Sequence, residues 1–306
     1  DGLADALSPI GDPAAAFSSR TGQRIWSNSS HPFTLPLASS DDLDADGTAD
    51  LLSMPSGVQR RLTALSGRTG LPIWKTTLPL PSDLHIRLQN ERLAWAEVAK
   101  WPNTESVVMF ATPITAKNRQ GGRFFLGCAA ASDGQIRWLQ PMSESAAGNE
   151  EMQLRPALAD LNGDDVCDVV CLTPNHAGPA DPTASIPFWD SAIELRAYNG
   201  RDGSVLWKRV LAAKQQLSRY PPLWTVDGPR PVVADLDANG NVEVLLSAVA
   251  DARNAEVLAL AGSDGRVVWS WSGDDADQWS NGSQWIYASP QVIRRDSGLG
   301  VALCIH

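Results

Sequence analysis

Short apolar stretches alternate with polar turns along the whole chain, and two patterns recur. The first is an acidic loop that runs into an apolar strand. It reads Asp42-Leu-Asp-Ala-Asp-Gly-Thr-Ala-Asp50 before Leu51-Leu52, Asp160-Leu-Asn-Gly-Asp-Asp-Val-Cys-Asp168 before Val169-Val170, and Asp235-Leu-Asp-Ala-Asn-Gly-Asn-Val-Glu243 before Val244-Leu245-Leu246. The second is a glycine turn that ends in tryptophan: Arg20-Thr-Gly to Trp26, Arg68-Thr-Gly to Trp74, Ser132-Asp-Gly to Trp138, Arg201-Asp-Gly to Trp207 and Ser263-Asp-Gly to Trp269. Apolar or alternating residues precede the turns, as in Leu62–Leu65, Leu195–Tyr198 and Val257–Leu260. A strand, a Thr-Gly or Asp-Gly turn and a second strand predict a β-hairpin. No convincing amphipathic helix is read, apart from a short candidate near Ala146–Met152.

The tryptophans return at intervals of about 50–70 residues, a period that suits propeller blades of several short strands. The expected repeats are 1–35 (partial), 36–78, 79–140, 141–210, 211–272 and 273–306 (partial), all in one β-propeller portion. The 79–140 repeat lacks an acidic loop, although Leu93–Val98 and Val107–Phe110 still read as strands. Asp1–Leu7 matches the second half of an acidic loop and Ile286–Ile293 opens a further strand set, so a fragment of a longer chain is expected.

The net charge of −10 argues against nucleic acid as a partner. No run of about 18 apolar residues occurs, so no membrane-spanning helix is expected. Cys128, Cys167, Cys171 and Cys304 show no zinc spacing and read as buried small apolar residues. Their disulfide state and the redox compartment stay open. His31, His85, His176 and His306 lie far apart and read as ordinary residues. Trp271, Trp279, Trp285 and Tyr287 form either packing or a platform for sugar rings, with packing favoured. Asn28-Ser-Ser30 and Asn281-Gly-Ser283 fit the glycosylation acceptor pattern. No phosphate loop, dinucleotide fingerprint or nucleophile elbow occurs.

The acidic loops carry the candidate chemistry. Calcium takes six to eight oxygen ligands. Side chains at positions 1, 3, 5 and 9 and a backbone carbonyl at position 7 supply such oxygens. They are Asp42, Asp44, Asp46, Thr48 (carbonyl) and Asp50; Asp160, Asn162, Asp164, Val166 (carbonyl) and Asp168; and Asp235, Asp237, Asn239, Asn241 (carbonyl) and Glu243. Position 6 calls for a left-handed backbone, which Gly47 and Gly240 suit and Asp165 tolerates. Position 12 is Ser53, Cys171 or Leu246 and a strand follows, so these are not EF-hands.

The acidic loops resemble FG-GAP (VCBS, integrin-like) propeller repeats, and the glycine–tryptophan hairpins resemble repeats of the PQQ-dehydrogenase-like (quinoprotein) superfamily. The resemblance implies seven or eight four-stranded blades, structural Ca2+ in blade loops, and tryptophans docked between blades. PQQ itself is not expected, because the adjacent Cys-Cys pair and the cofactor ligands of such enzymes have no counterpart here. The function expected is a non-catalytic calcium-binding module in a larger exported or surface protein, extracytoplasmic, with a protein or carbohydrate ligand on the propeller face. Alternatives are a polysaccharide lyase or hydrolase, a diverged PQQ-dependent dehydrogenase, the sensor region of a signalling protein such as a kinase, or a structural spacer.

Overall fold

The computed structural model describes residues 6–8, 14–28, 36–38, 41–53, 61–79, 84–85, 95–102, 105–116, 122–145, 156–175, 192–211, 230–249, 255–272, 291–295 and 298–302. The elements among them are strands joined by turns and bends, and none is an α-helix. The helix candidate near Ala146–Met152 lies outside the described residues. No helix among them is long and apolar enough to cross a membrane.

The strands form consecutive antiparallel meanders. A three-stranded sheet contains β1 (Ala6–Ser8), β2 (Ala14–Phe17) and β3 (Arg24–Asn28). A four-stranded sheet follows with β4 (Pro36–Ala38), β5 (Leu51–Ser53), β6 (Arg61–Leu65) and β7 (Pro72–Thr77). The next contains β8 (Leu84–His85), β9 (Trp95–Lys100), β10 (Ser106–Ala116), β11 (Gly122–Ala130) and β12 (Ile136–Ser145). There β8 and β9 both pair with β10. Two further four-stranded sheets are β13 (Ala157–Ala159), β14 (Asp168–Asn175), β15 (Ala192–Tyr198), β16 (Val205–Leu211), and β17 (Val232–Ala234), β18 (Glu243–Val249), β19 (Ala255–Ala261), β20 (Val267–Ser272). A pair, β21 (Gln291–Arg295) and β22 (Gly298–Ala302), completes the set. Four-stranded antiparallel meanders repeated in this way are propeller blades, and the fold class is the all-β propeller.

The chain divides into two compact units, Asp1–Met142 and Ser143–His306. In the first, Leu52, Leu62, Ala64 and Trp74 of one blade pack on Val108, Phe110 and Ala129 of the next. In the second, Val170, Leu195, Ala197 and Trp207 pack on Val244, Leu246, Leu258 and Leu260. Inner strands have both faces covered, so their sequences read as apolar runs. Leu62, Thr63, Ala64 and Leu65 are all fully buried, as are Val107 to Ala111.

Five hairpins share one loop. The residue before it donates its N–H to the carbonyl beyond the loop and accepts from the loop glycine. This holds for Ser18 with Gln23, Ser66 with Leu71, Ala130 with Gln135, Asn199 with Ser204 and Ala261 with Arg266, at 2.7–2.9 Å. The glycines (Gly22, Gly70, Gly134, Gly203 and Gly265) sit at φ of 68–75°, a left-handed conformation that costs glycine little. The Thr or Asp before each glycine accepts the amide two residues on, as Asp133 does from Gln135 at 2.9 Å and Thr69 from Leu71 at 3.2 Å. That side-chain turn is the reason for the Thr-Gly and Asp-Gly signatures. At Asp202 the Ser204 hydroxyl and amide both donate, holding the carboxyl below its usual range.

Candidate metal centres and the blade joints

Each acidic loop precedes the second strand of its blade, so its ninth residue begins or adjoins that strand, while Leu43 and Leu161 at the second position pack against the core. The local fold follows from short carboxylates capturing nearby amides. Asp42 accepts from Asp46 (3.0 Å) and Gly47 (2.7 Å), Asp44 from Asp46 (3.1 Å), and Asp46 from Thr48 (2.9 Å). In the third loop Asp235 accepts from Asn239 (3.0 Å) and Gly240 (2.9 Å), Asp237 from Asn239 (3.1 Å), and Asn239 from Asn241 (2.7 Å). The second repeats the scheme: Asp160 accepts from Gly163 (2.8 Å) and Asp165 (2.8 Å), Asn162 from Asp164 (3.0 Å), and Asp164 from Val166 (2.9 Å).

Position 6 has the left-handed backbone expected of it, at Gly47 (φ 85°), Asp165 (62°) and Gly240 (88°). Position 4 is left-handed as well, at Ala45 (60°), Gly163 (79°) and Ala238 (58°). Alanine pays roughly 1 kcal/mol or more there for its Cβ, which glycine avoids. Ala238→Gly is therefore expected to raise stability by about 0.5–1 kcal/mol, read as a higher urea midpoint with an unchanged slope.

The carboxylates converge in two loops. Asp42, Asp44 and Asp50 each bring one oxygen to within 4.8 Å of the others, and so do Asp235, Asp237 and Glu243. The second loop gives no such three-acid group among the described residues. It carries neutral Asn162 at position 3, and the Arg201 guanidinium lies 3.5 Å from Asp164. Asp46 and Asp164 are half-buried, whereas Asn239 is exposed and also bonds the Asp237 carboxylate through its amide nitrogen at 2.9 Å. Thr48, Val166 and Asn241 hold position 7, with Val166 buried in the core.

The ninth position has a second task. Asp50 is fully buried and accepts amides from Leu43 (2.6 Å), Asp44 (3.2 Å) and Gly67 (2.9 Å). Asp168, equally buried, accepts from Leu161 (3.0 Å) and Gly200 (2.8 Å). Glu243 accepts from Leu236 (2.9 Å), and the Gly262 amide is taken instead by the Val242 carbonyl (2.8 Å). Burial pushes Asp50 up, the three amides opposing it and the Asp44 charge adding to it. Burial also pushes Asp168 up to about 6 against its two amide bonds, with Asp164 and Asp160 raising it further. These carboxylates are thus tightly held and short of positive charge. Three of the roughly four lone-pair sites of Asp50 are already occupied.

Gly67, Gly200 and Gly262 open the tryptophan hairpins and were not singled out by either sequence pattern. They join the acidic loop to the hairpin of the same blade. A Cβ on Gly67 would overlap the Ala49 carbonyl oxygen, and one on Gly200 the Cys167 carbonyl oxygen. On Gly262 it would stand 2.7 Å from the Val242 carbonyl oxygen. The sequence signal was present: the β8–β12 blade lacks the acidic loop and has Ala131 at this position. The Ala131 amide goes to the Ser106 carbonyl at 3.0 Å.

The same position receives the tryptophan of the preceding blade. The indole N–H of Trp26 donates to the Gly67 carbonyl (2.7 Å), that of Trp74 to Ala131 (2.7 Å), and that of Trp207 to Gly262 (2.5 Å). Each ring also covers the left-handed glycine of the receiving turn. A Cβ on Gly70 would lie 2.5 Å from the Trp26 ring and one on Gly265 2.6 Å from Trp207, and one on Gly134 would collide with Trp74.

A family model described as "Outer membrane protein assembly factor BamB" matches residues 11–220, more than half of the chain. The chain belongs to this PQQ_2 family. Among solved structures, a quinohemoprotein alcohol dehydrogenase from Comamonas testosteroni is similar at 14% identity and a TM-score of 0.49. The match covers 89% of this chain and 41% of that one. BamB from Moraxella catarrhalis matches at 13% identity and a TM-score of 0.39, over 88% of this chain and 75% of that one. The Dos1 propeller matches at 11% identity and a TM-score of 0.49, over 97% and 61%. This PQQ_2 chain therefore spans about two fifths of the length of the Comamonas enzyme. No curated protein matches it significantly.

Other candidate residues are placed as follows. Cys128 and Cys171 are buried free thiols, each pushed up to about 12 by burial, and Cys167 is half-buried. His85 lies in β8 opposite Thr115. Asn28 is buried and its side-chain amide donates to the Gly70 carbonyl at 2.7 Å, so this acceptor pattern is committed to the blade joint. Trp271 is exposed on β20. Cys304, His31, His176, His306, Trp279, Trp285, Tyr287 and the Asn281 pattern lie outside the described residues. Glu194, Arg196 and Tyr198 alternate along β15, Arg196 bonding Glu194 at 2.6 Å, and this buried network serves the core.

Proposed function

We propose that this chain is a non-catalytic, calcium-binding propeller module for ligand or protein binding in a larger extracytoplasmic protein. The observation that carries the reading is the convergence of Asp42, Asp44 and Asp50, and of Asp235, Asp237 and Glu243. All-oxygen donor sets suit a hard cation such as Ca2+ rather than Zn2+. Asp46, Asn239 and the Thr48 and Asn241 carbonyls complete these two sets. Asp160, Asn162, Asp164, the Val166 carbonyl and Asp168 form the weaker one, because Arg201 already supplies positive charge there. The likeness of the loops to FG-GAP/VCBS repeats supports the same reading. The ion's role is structural: it offsets repulsion among fixed carboxylates and stiffens the loop beside the blade joint.

The family description, an outer membrane protein assembly factor, supports a binding role and a location outside the cytoplasm. The partner is a protein or carbohydrate on the loop-bearing face.

Calorimetric titration of chelator-treated protein is expected to show Ca2+ binding. The melting temperature should rise by several degrees at 100-fold excess over Kd, where binding contributes about 2.7 kcal/mol. The double variant Asp42→Asn/Asp44→Asn should lose one site, and Asp235→Asn/Asp237→Asn the other. No binding heat together with an identical melting curve in chelator and calcium would refute the reading.

A further inference from the structure

Three Asn-Gly pairs fall among the described residues, Asn162-Gly163, Asn199-Gly200 and Asn239-Gly240, and the last is ringed by groups that suit chemistry on its own side chain. An asparagine side chain is open to attack by the backbone nitrogen of the next residue, which a glycine leaves unscreened for want of a Cβ. Around Gly240 nothing among the described residues lies within 4 Å of where a Cβ would be. The Gly240 N–H donates to the Asp235 carboxylate at 2.9 Å. The carbon to be attacked is polarised, because Asn239 Oδ1 accepts both the backbone N–H of Asn241 (2.7 Å) and its side-chain N–H (2.9 Å). The group to be expelled is held as well, Asn239 Nδ2 donating to Asp237 at 2.9 Å. Asn239 and Gly240 are both exposed, so water reaches them. The other two pairs lack this set. Asn162 Oδ1 accepts the Asp164 amide alone among the described residues, at 3.0 Å. Gly200 is buried, hard against the Cys167 carbonyl, with its amide fixed on Asp168.

We propose that Asn239 is a self-modification site, deamidated by the groups of its own loop. Asp235 takes the Gly240 proton as the nitrogen bonds to Asn239 Cγ, and the two Asn241 donors stabilise the charge that develops on Oδ1. The Cγ–Nδ2 bond then breaks, and Nδ2 leaves as ammonia with a proton returned from Asp235 through water. One water molecule opens the five-membered imide that remains. Cleavage of the new N–Cγ bond gives aspartate at position 239. Cleavage of the bond from the same nitrogen to the backbone carbonyl carbon gives isoaspartate, whose main chain runs through the side chain. Aspartate would supply the third loop with the carboxylate that Asp46 and Asp164 already hold at position 5. On the calcium reading, on which this consequence alone rests, the site then gains a charged ligand.

Peptide mapping by mass spectrometry through a warm incubation of the folded, chelator-treated protein at neutral pH tests the proposal. Position 239 should convert at least about tenfold faster than Asn162 or Asn199, a modest share of what a positioned base contributes. It should also convert no more slowly than in urea-unfolded protein. Asp235→Asn removes the base, and Asn241→Ala removes one of the two donors to Oδ1. Each should slow conversion in the folded chain and leave the rate in urea unchanged, because neither group is positioned once the loop unfolds. The two variants act on different atoms, so if a melting curve shows one to be unfolded the other still decides. Equal rates at the three pairs, protection of Asn239 by folding, or an unchanged rate in the folded variants would overturn the proposal, whatever calcium titration shows.

Discussion

Trp74→Ala is expected to destabilise the fold by about 3–5 kcal/mol, the usual cost of deleting a buried large aromatic. Three losses combine. The ring leaves a gap within the cluster that contains Leu62, Ala64, Val108 and Phe110. The Ala131 carbonyl loses the indole N–H that meets it at 2.7 Å, and the Gly134 turn loses its cover. Trp74→Phe separates these contributions: it keeps a ring over the glycine but removes the donor, so about 1–2 kcal/mol is expected. Gly134→Ala attacks the joint from the other side, since its methyl would occupy space the ring holds, at a backbone φ of 73°. Urea unfolding monitored by indole fluorescence measures all three. A Trp74→Ala midpoint equal to the wild type would mean that the joint contributes nothing to stability.

Gly200→Ala should lower stability by about 3 kcal/mol, at the upper end of what overpacking costs. The added methyl would meet the Cys167 carbonyl, which is backbone and cannot swing away as a side chain would. Moving the turn also breaks the 2.8 Å bond from the Gly200 amide to Asp168, a fully buried carboxylate. The matched control is Ala131→Gly in the blade without an acidic loop, where no carboxylate needs the close approach. There the loss is glycine's extra conformational entropy and the burial of one methyl group, about 1–2 kcal/mol together. Equal losses at the two positions in parallel urea titrations would show that the glycine does not couple hairpin to acidic loop.

The strand–turn–strand order was legible because its determinants are local. A left-handed residue needs glycine, a Thr or Asp before it captures the amide two residues on, and apolar runs flank the loop. The acidic loops were legible for the same reason: Asp42, Asp160 and Asp235 bond amides only three to five residues away. Even the left-handed fourth position left a trace, as Gly163 in one loop, though Ala45 and Ala238 concealed it in the other two.

What the chain alone determined is therefore the set of blades, hairpins and oxygen-rich loops, each specified within a few residues. The tertiary structure decided the joints. It sends Trp26 to Gly67, Trp74 to Ala131 and Trp207 to Gly262, partners 41 to 57 residues apart. It also turns Asp50 and Asp168 inward onto backbone amides. Short-range hydrogen bonding sets a turn whatever surrounds it, whereas the environment of a side chain at a joint depends on which blade comes to lie against it.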